Sequence, residues 1–220
     1  MIQPDEIIRS ARKTLSVSID SLGKVMVRAP KNYDDRRIFA FLADKEGWIL
    51  RKKAERAGVS SRLPTENLDG FSMLLFGAYY TLRVVDGKRV MIDGENKLVY
   101  LPLDNPREKL IKYLKTTAKT LFGDLVEEKS RQTGLGYKSV RIGSARTRWG
   151  SCTAKNELAF SFRLLYAPKS IIEYVIIHEL AHSKHKNHSK AFWKEVERHT
   201  PDYKLCRKWL KERAYLMKIF

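Results

Sequence analysis

Between Ile176 and Trp193 the chain reads IIHELAHSKHKNHSKAFW and holds four of its five histidines. The residues leading into it, IIEYVII from Ile171 to Ile177, form a nearly continuous apolar run. Such a run asks for a buried element, and solvated histidines on a polar face would not follow it. Pro168, Ser170 and Glu173 give the S-x-x-E pattern of a capping box, which predicts a helix starting near Ile171. Ile172, Val175, Ile176, Leu180 and Ala181 supply its apolar contacts. On that helix His178 and His182 are four apart, one turn along the same face, so both rings can reach one ion. Glu179 adjoins His178 and can reach the open side of that ion. The HExxH pattern thus offers two ligands and a carboxylate to take a proton from a bound water, and zinc is the ion it suits.

A third ligand constrains the fold further. His188 lies ten positions past His178, about 15 Å along an unbroken helix, whereas a zinc–nitrogen bond is only about 2.1 Å long. The helix must therefore stop soon after His182 and the chain must fold back. KHKN offers a polar break, with Asn187 the residue most tolerant of a left-handed turn. Ser189 can cap the next helix, which would carry Phe192, Val196 and His199 on one side. His188 then falls at the junction. His185, His199 and the carboxylates Glu195 and Glu197 stand as alternatives for the third place.

The chain has 220 residues, enough for one large domain or two small ones, and its 43% hydrophobic and 31% charged residues mark it as globular. Lys and Arg number 43 against 25 Asp and Glu, a net charge of +18. That excess suits a polyanionic or acidic partner, including nucleic acid or nucleotides. Two distant cysteines, Cys152 and Cys206, fit a reducing compartment without disulfides. The opening MIQPDEIIRSARK has no apolar core of a secretory signal, and no run suits a membrane span. A cytoplasmic protein without membrane contact is expected.

The pattern along the chain predicts an α+β fold, with a strand-rich N-terminal region at 1–104 and a catalytic region at 105–220. TLSVSID and KVMVRAP alternate about the turn DSLGK and read as a hairpin. A helix opens near Asp34, runs along Ile38, Phe41, Leu42, Lys45, Trp48 and Ile49, and ends at Gly58. SSRLPTENLDG reads as a loop. SMLLFGAYYTLRVV, KRVMID and KLVYLPL read as strands. Asn105, Pro106 and Glu108 then signal the start of a long helix that ends near Gly134. KSVRIGSARTRWGSC and ELAFSFRLL read as strands joined at TAKN, and the remainder is helical.

RWGSC, ELAFSFRLL, YVIIHELAH and NHSKAFW, in this order, resemble the YgjP-like metallopeptidase family, a relative of the SprT-like zincins. KTLSVSID, VMVRAPK and GWI are similar to that family too, so the likeness spans most of the chain. It implies a zincin-like catalytic region with His178, His182 and His188 as zinc ligands and Glu179 as general base. It also implies that ELAFSFRLL borders the cleft, where a peptide would add to it as a strand. His185 stands where the metzincin pattern HExxHxxGxxH needs glycine, and no Met-turn is visible, so the chain reads as a zincin but not a metzincin.

Three protein ligands and one open position are the pattern of a catalytic zinc site. The expected activity is a zinc metallopeptidase cleaving polypeptide through a zinc-activated water. Arg146, Arg148, Tyr174 and Tyr203 are candidates for holding the oxyanion, and Gly150 and Cys152 lie in the same motif. One alternative is a zinc-dependent nucleotide phosphoanhydride hydrolase, favoured by Lys184, Lys186 and Lys190 but lacking a phosphate loop. Another is a SprT-like protease associated with nucleic acid, favoured by Lys109, Lys112, Lys115 and Lys119 on the long helix. Lys204, Arg207, Lys208, Lys211 and Arg213 near the C-terminus point the same way.

Overall fold

The computed structural model describes residues 2–19, 23–60 (backbone alone for 54–60) and 67–220. Contacts divide the chain into two compact units, 1–63 and 64–220. The class is α+β, as expected, with strands concentrated early and helices late.

In the first unit, β1 (Glu6–Ser10), β2 (Ser16–Ile19) and β3 (Val25–Pro30) form a sheet with β3 in the middle. β2 and β3 make the expected antiparallel hairpin, whose turn at 20–22 lies outside the described residues. β1 runs parallel to β3. Val25, Val27 and Ala29 alternate inward on β3, as a half-buried strand requires. They meet Ile38 and Leu42 of α1 (Asp35–Asp44) and Ile49 of α2 (Glu46–Ser60) in one core. Asp34 caps α1, accepting a hydrogen bond from Arg36 N at 3.1 Å. The single helix expected here is two. Lys45 leaves helical geometry (φ −96°, ψ 6°), although its carbonyl still accepts from Ile49 N at 2.9 Å. The apolar stripe therefore continues across the break, and helix geometry persists past Gly58 to Ser60. Of the SSRLPTENLDG loop, residues 61–66 lie outside the described residues.

The second unit opens with β4 (Ser72–Leu75), β5 (Ala78–Val85), β6 (Met91–Asp93) and β7 (Leu98–Pro102), in the order β4-β5-β7-β6. The start at residue 105 expected for the catalytic region thus falls inside this unit. The β4–β5 turn braces a distant part of the same unit: Phe76 N donates to Leu165 O at 2.7 Å and Gly77 N to Tyr166 O at 3.3 Å. Gly77 has φ 81°, and a Cβ there would fall 2.7 Å from Pro168 Cγ, so only glycine permits this approach.

The long helix α3 (Pro106–Thr133) buries Leu110, Leu114, Ala118, Phe122, Leu125 and Val126 along one face and ends at Gly134, φ 71°. The expected Asn105 cap does not form. Asn105 is itself left-handed, and its amide donates to Asp104 instead. β8 (Ser139–Gly143), β9 (Gly150–Cys152) and β10 (Glu157–Ser161) make a third sheet in the order β8-β10-β9. A 3₁₀ turn, Phe162–Tyr166, leads to α4 (Lys169–Ala181), and α5 (Lys190–His199) and α6 (Tyr203–Glu212) come after it. α3 packs against β7, β8, the 3₁₀ turn and α4. The buried Arg163 donates to the carbonyl oxygens of Ser144 at 3.0 Å and Ile219 at 2.9 Å and to Phe220 O, so backbone oxygens rather than an acidic side chain surround its charge. No described helix is long and apolar enough to cross a membrane.

Candidate metal centre

α4 is buried along nearly its whole length. Ile171, Ile172, Val175, Ile176, Leu180 and Ala181 are all within the core. The helix begins at Lys169, two residues before the expected start, and its N-cap is Pro168 with no side-chain cap, so Ser170 lies in the first turn rather than at the cap. Glu173 is engaged elsewhere, by Lys129 at 3.6 Å and Lys169 at 3.7 Å.

The helix ends where the spacing requires. His182 is the C-cap, and the N–H groups of Ser183, Lys184 and His185 fold back onto the carbonyls of Leu180 and Ala181 at 2.9–3.1 Å. This reversal needs no left-handed residue, and Asn187 is not left-handed. Ser189 caps α5 as expected, its Oγ accepting from Phe192 N at 3.3 Å. His188 is thereby set immediately before a capped helix, across from α4.

The three imidazoles of His178, His182 and His188 converge, each offering a ligand atom within 4.8 Å of the others. The Nε2 atoms of His178 and His188 are 3.1 Å apart, close to the roughly 3.4 Å between two nitrogens on one tetrahedral zinc with bonds of about 2.1 Å. His182 Nδ1 lies 3.0 Å from the carbonyl of His185. That oxygen can only accept, so Nδ1 carries the proton and Nε2 is free for a ligand role. The donor set fits a divalent zinc-like ion. His185 contributes that carbonyl rather than its ring. His199 pairs with Glu195 at 3.2 Å on α5, Glu195 also binds Lys184 at 2.9 Å, and Glu197 is exposed. None of these four joins the cluster.

Two aromatic side chains of α5, neither of them among the expected site residues, hold the rings in place. Phe192, fully buried, lies 4.5–4.9 Å from all three imidazoles. Trp193 stacks on His188 at 5.5 Å and lies 5.6 Å from His178. Both come from NHSKAFW, whose F-W pair shortly after a capping serine was the available signal. Burial drives His178 down to about 3, with further lowering from His182, His188 and Arg207. It also lowers His182. Neutral imidazoles are the ligating form, so the surroundings favour metal over protons.

Glu179 is 6% exposed. Its side chain lies against β9: a Cβ on Gly150 would fall 2.8 Å from both Glu179 Cγ and Oε1. Burial pushes this carboxyl up to about 8, against a smaller downward pull from Arg148. Burial likewise pushes the Cys152 thiol up, with Lys186 lowering it and Glu179 raising it.

The strand beside the site is β9, not β10. β10 is central, paired with β8 on one side and β9 on the other, so ELAFSFRLL has no free edge to offer a peptide. The glycine that admits Glu179 explains why RWGSC supplies the bordering strand. In the β9–β10 ladder, Trp149 O accepts from Ser161 N and Thr153 N donates to Glu157 O. Antiparallel alternation therefore turns the N–H and C=O of Gly150 and Cys152 outward. Among the oxyanion candidates, Arg146 is committed to Phe220 O at 2.9 Å, and Tyr203 stacks on Trp193 at 5.3 Å. The Tyr174 ring lies 5.9 Å from His178, and burial pushes its hydroxyl far up. Arg148 is exposed on the Glu179 side.

Comparison with known proteins decides the family. The YgjP-like, metallopeptidase domain matches residues 13–213. The chain belongs to the YgjP-like metallopeptidase family. Family membership carries a metal-dependent peptidase class, and the three-histidine cluster gives this YgjP-like chain a place to hold the ion. A solved structure, the metallopeptidase zymogen abylysin of Pyrococcus abyssi, is similar at 26% identity over 41% of this chain and 93% of its own, with a TM-score of 0.38. No curated protein matches. Lys112, Lys115 and Lys119 on α3 and Lys204, Arg207, Lys208 and Lys211 on α6 are exposed, but nothing in the YgjP-like match connects them with nucleic acid.

Proposed function

We propose that this metallopeptidase is a zinc enzyme whose ligands are His178, His182 and His188 and whose general base is Glu179, in a catalytic domain spanning 105–220. The observation that carries this reading is the convergence of three imidazoles, each offering a ligand atom within 4.8 Å of the others, beside a buried carboxyl group. A zinc ion there supplies Lewis acidity to a water and to the scissile carbonyl. Glu179 takes the proton of the attacking water and returns it to the departing amine nitrogen. Gly150 lets the carboxylate lie against the strand edge, where the bond to be cut would sit. An extended polypeptide pairs with the outward N–H and C=O of Gly150 and Cys152, which fixes its direction along the cleft. Arg148 would steady the developing oxyanion; its exposure on the Glu179 side and its freedom from an ion pair among the described residues support that role.

The test combines metal content with cleavage of an unfolded protein. Purified protein should hold zinc, and chelation should abolish cleavage. Glu179→Gln should keep its zinc and lose about a thousandfold in rate. Cleavage that survives both treatments would sink the assignment.

A further inference from the structure

We infer that the cleft selects acidic polypeptides, with Arg207 as the residue that sets the preference and Arg148 and Lys186 assisting it; this rests on the peptidase reading above. Arg207, on α6, holds its guanidinium carbon 4.3 Å from the centroid of the Trp193 ring. Trp193 in turn stacks on His188 and lies beside His178. The guanidinium is therefore held one ring away from the imidazole cluster. Stacking on an aromatic face fixes the plane of the group and leaves its N–H edge available, the geometry that receives a carboxylate with two hydrogen bonds.

Two more cations approach from other elements. Arg148 lies two residues before Gly150, whose α-carbon abuts Glu179. Lys186, in the connection between α4 and α5, reaches across to the β9–β10 turn. There its Nζ donates to Thr153 O at 3.5 Å and to the Asn156 side chain. All three are exposed, and none forms an ion pair with a carboxylate among the described residues, although Arg148 pulls on Glu179. Two of the nearby carboxylates are engaged by other cations: Glu195 by Lys184 and His199, and Glu157 by Lys138 at 3.5 Å. The rim is thus positive from three directions, and a resident metal ion adds charge of the same sign. A substrate that brings carboxylates on both sides of the cut bond matches this field, and one that brings lysines is opposed by it.

The test uses three peptides of one length that differ only in the residues flanking the scissile bond: Glu, Ala or Lys. At low ionic strength kcat/KM for the Glu peptide should exceed that for the Lys peptide about tenfold or more, and the gap should shrink as salt screens it. Arg207→Gln should lower the Glu-to-Ala ratio about three- to tenfold, and Arg207→Glu should tilt the preference toward Lys. A second readout needs no metal: anisotropy of a labelled Glu-rich peptide on the metal-free protein. Binding should weaken in Arg207→Gln and stay unchanged in Lys112→Gln, which removes an exposed cation on α3. If Arg207→Gln slows all three peptides equally, the guanidinium only props Trp193 and the inference is wrong. It is also wrong if a single-stranded oligonucleotide binds more tightly than the peptide and loses that advantage in Arg207→Gln. Cleavage without any preference would overturn the inference and leave the peptidase reading standing. Arg207-dependent peptide binding with no cleavage would support the inference and overturn the peptidase reading.

Discussion

Gly150 shows how little room the chemistry leaves. The α-carbon of this residue and the Glu179 carboxylate share a space that a single methyl group would fill, with contacts of 2.8 Å to Cγ and Oε1. Contacts that short force one partner to move, and β9 is fixed by its ladder to β10. The carboxylate would be displaced. Gly150→Ala should therefore keep its metal and its fold but lose about a hundredfold in kcat, the cost typical of moving a reacting group by about 1 Å. Circular dichroism and zinc content matching the parent, together with the kinetic loss, would bear this out. Unchanged kcat would show that Glu179 does not work from this position. The constraint could be glimpsed in the sequence only as a glycine in RWGSC. What made it legible was the fold, because nothing in the residue spacing says that β9 rather than β10 lies beside the helix.

Ser189 carries a comparable burden for the stretch that brings the third imidazole home. The reversal after α4 is made by ordinary turn hydrogen bonds from residues 183–185, and α5 starts on the Ser189 cap, with His188 one residue before it. Removing the cap hydroxyl costs about 1 kcal/mol at the helix start, and much of that should fall on the ordering of His188. Ser189→Ala should weaken zinc binding about fivefold, measured by competition with a chromophoric chelator, and Ser189→Asp should restore it. An unchanged affinity would mean that Phe192 and Trp193 hold His188 without the cap. This arrangement was largely readable beforehand, because a ten-residue gap between His178 and His188 permits no continuous helix. α3 was readable too, since its apolar stripe and Gly134 mark it from both pattern and end. Other features were not. The break at Lys45 interrupts an apolar stripe that itself continues unbroken. β1 pairs with β3 through backbone groups that leave no mark on side-chain pattern. Asn105 and Ser170 matched capping motifs, yet the backbone at each position puts the side chain to other use or places it inside the helix.

The two compact units give the metal a limited reach. Residues 1–63 close their own core of Val25, Val27, Ile38, Leu42 and Ile49 around β3, and none of the converging imidazoles comes from them. Zinc that binds only the folded site stabilises whatever must unfold to release it, by about 2.7 kcal/mol at a free concentration a hundredfold above Kd. That linkage should appear in the elements that carry the ligands and their supports. Amide exchange measured residue by residue should slow about a hundredfold in α4 and at the start of α5 when zinc is added. The slowest amides of β3 and α1 should keep their metal-free rates. The comparison has a built-in counter-result: if β3 and α1 slow by the same factor, the two units open in a single cooperative event and the metal stabilises the entire chain. With 43 basic against 25 acidic side chains, the chain also resists compaction through its own charge. The cation added at the site must therefore be held by the ligand geometry against a field of like sign. Three neutral imidazoles achieve this by bonding through nitrogen lone pairs, and Glu179 is the carboxylate nearest to offset the charge. The expected slowing in α4 should accordingly persist, and even grow, as added salt screens the surrounding lysines and arginines.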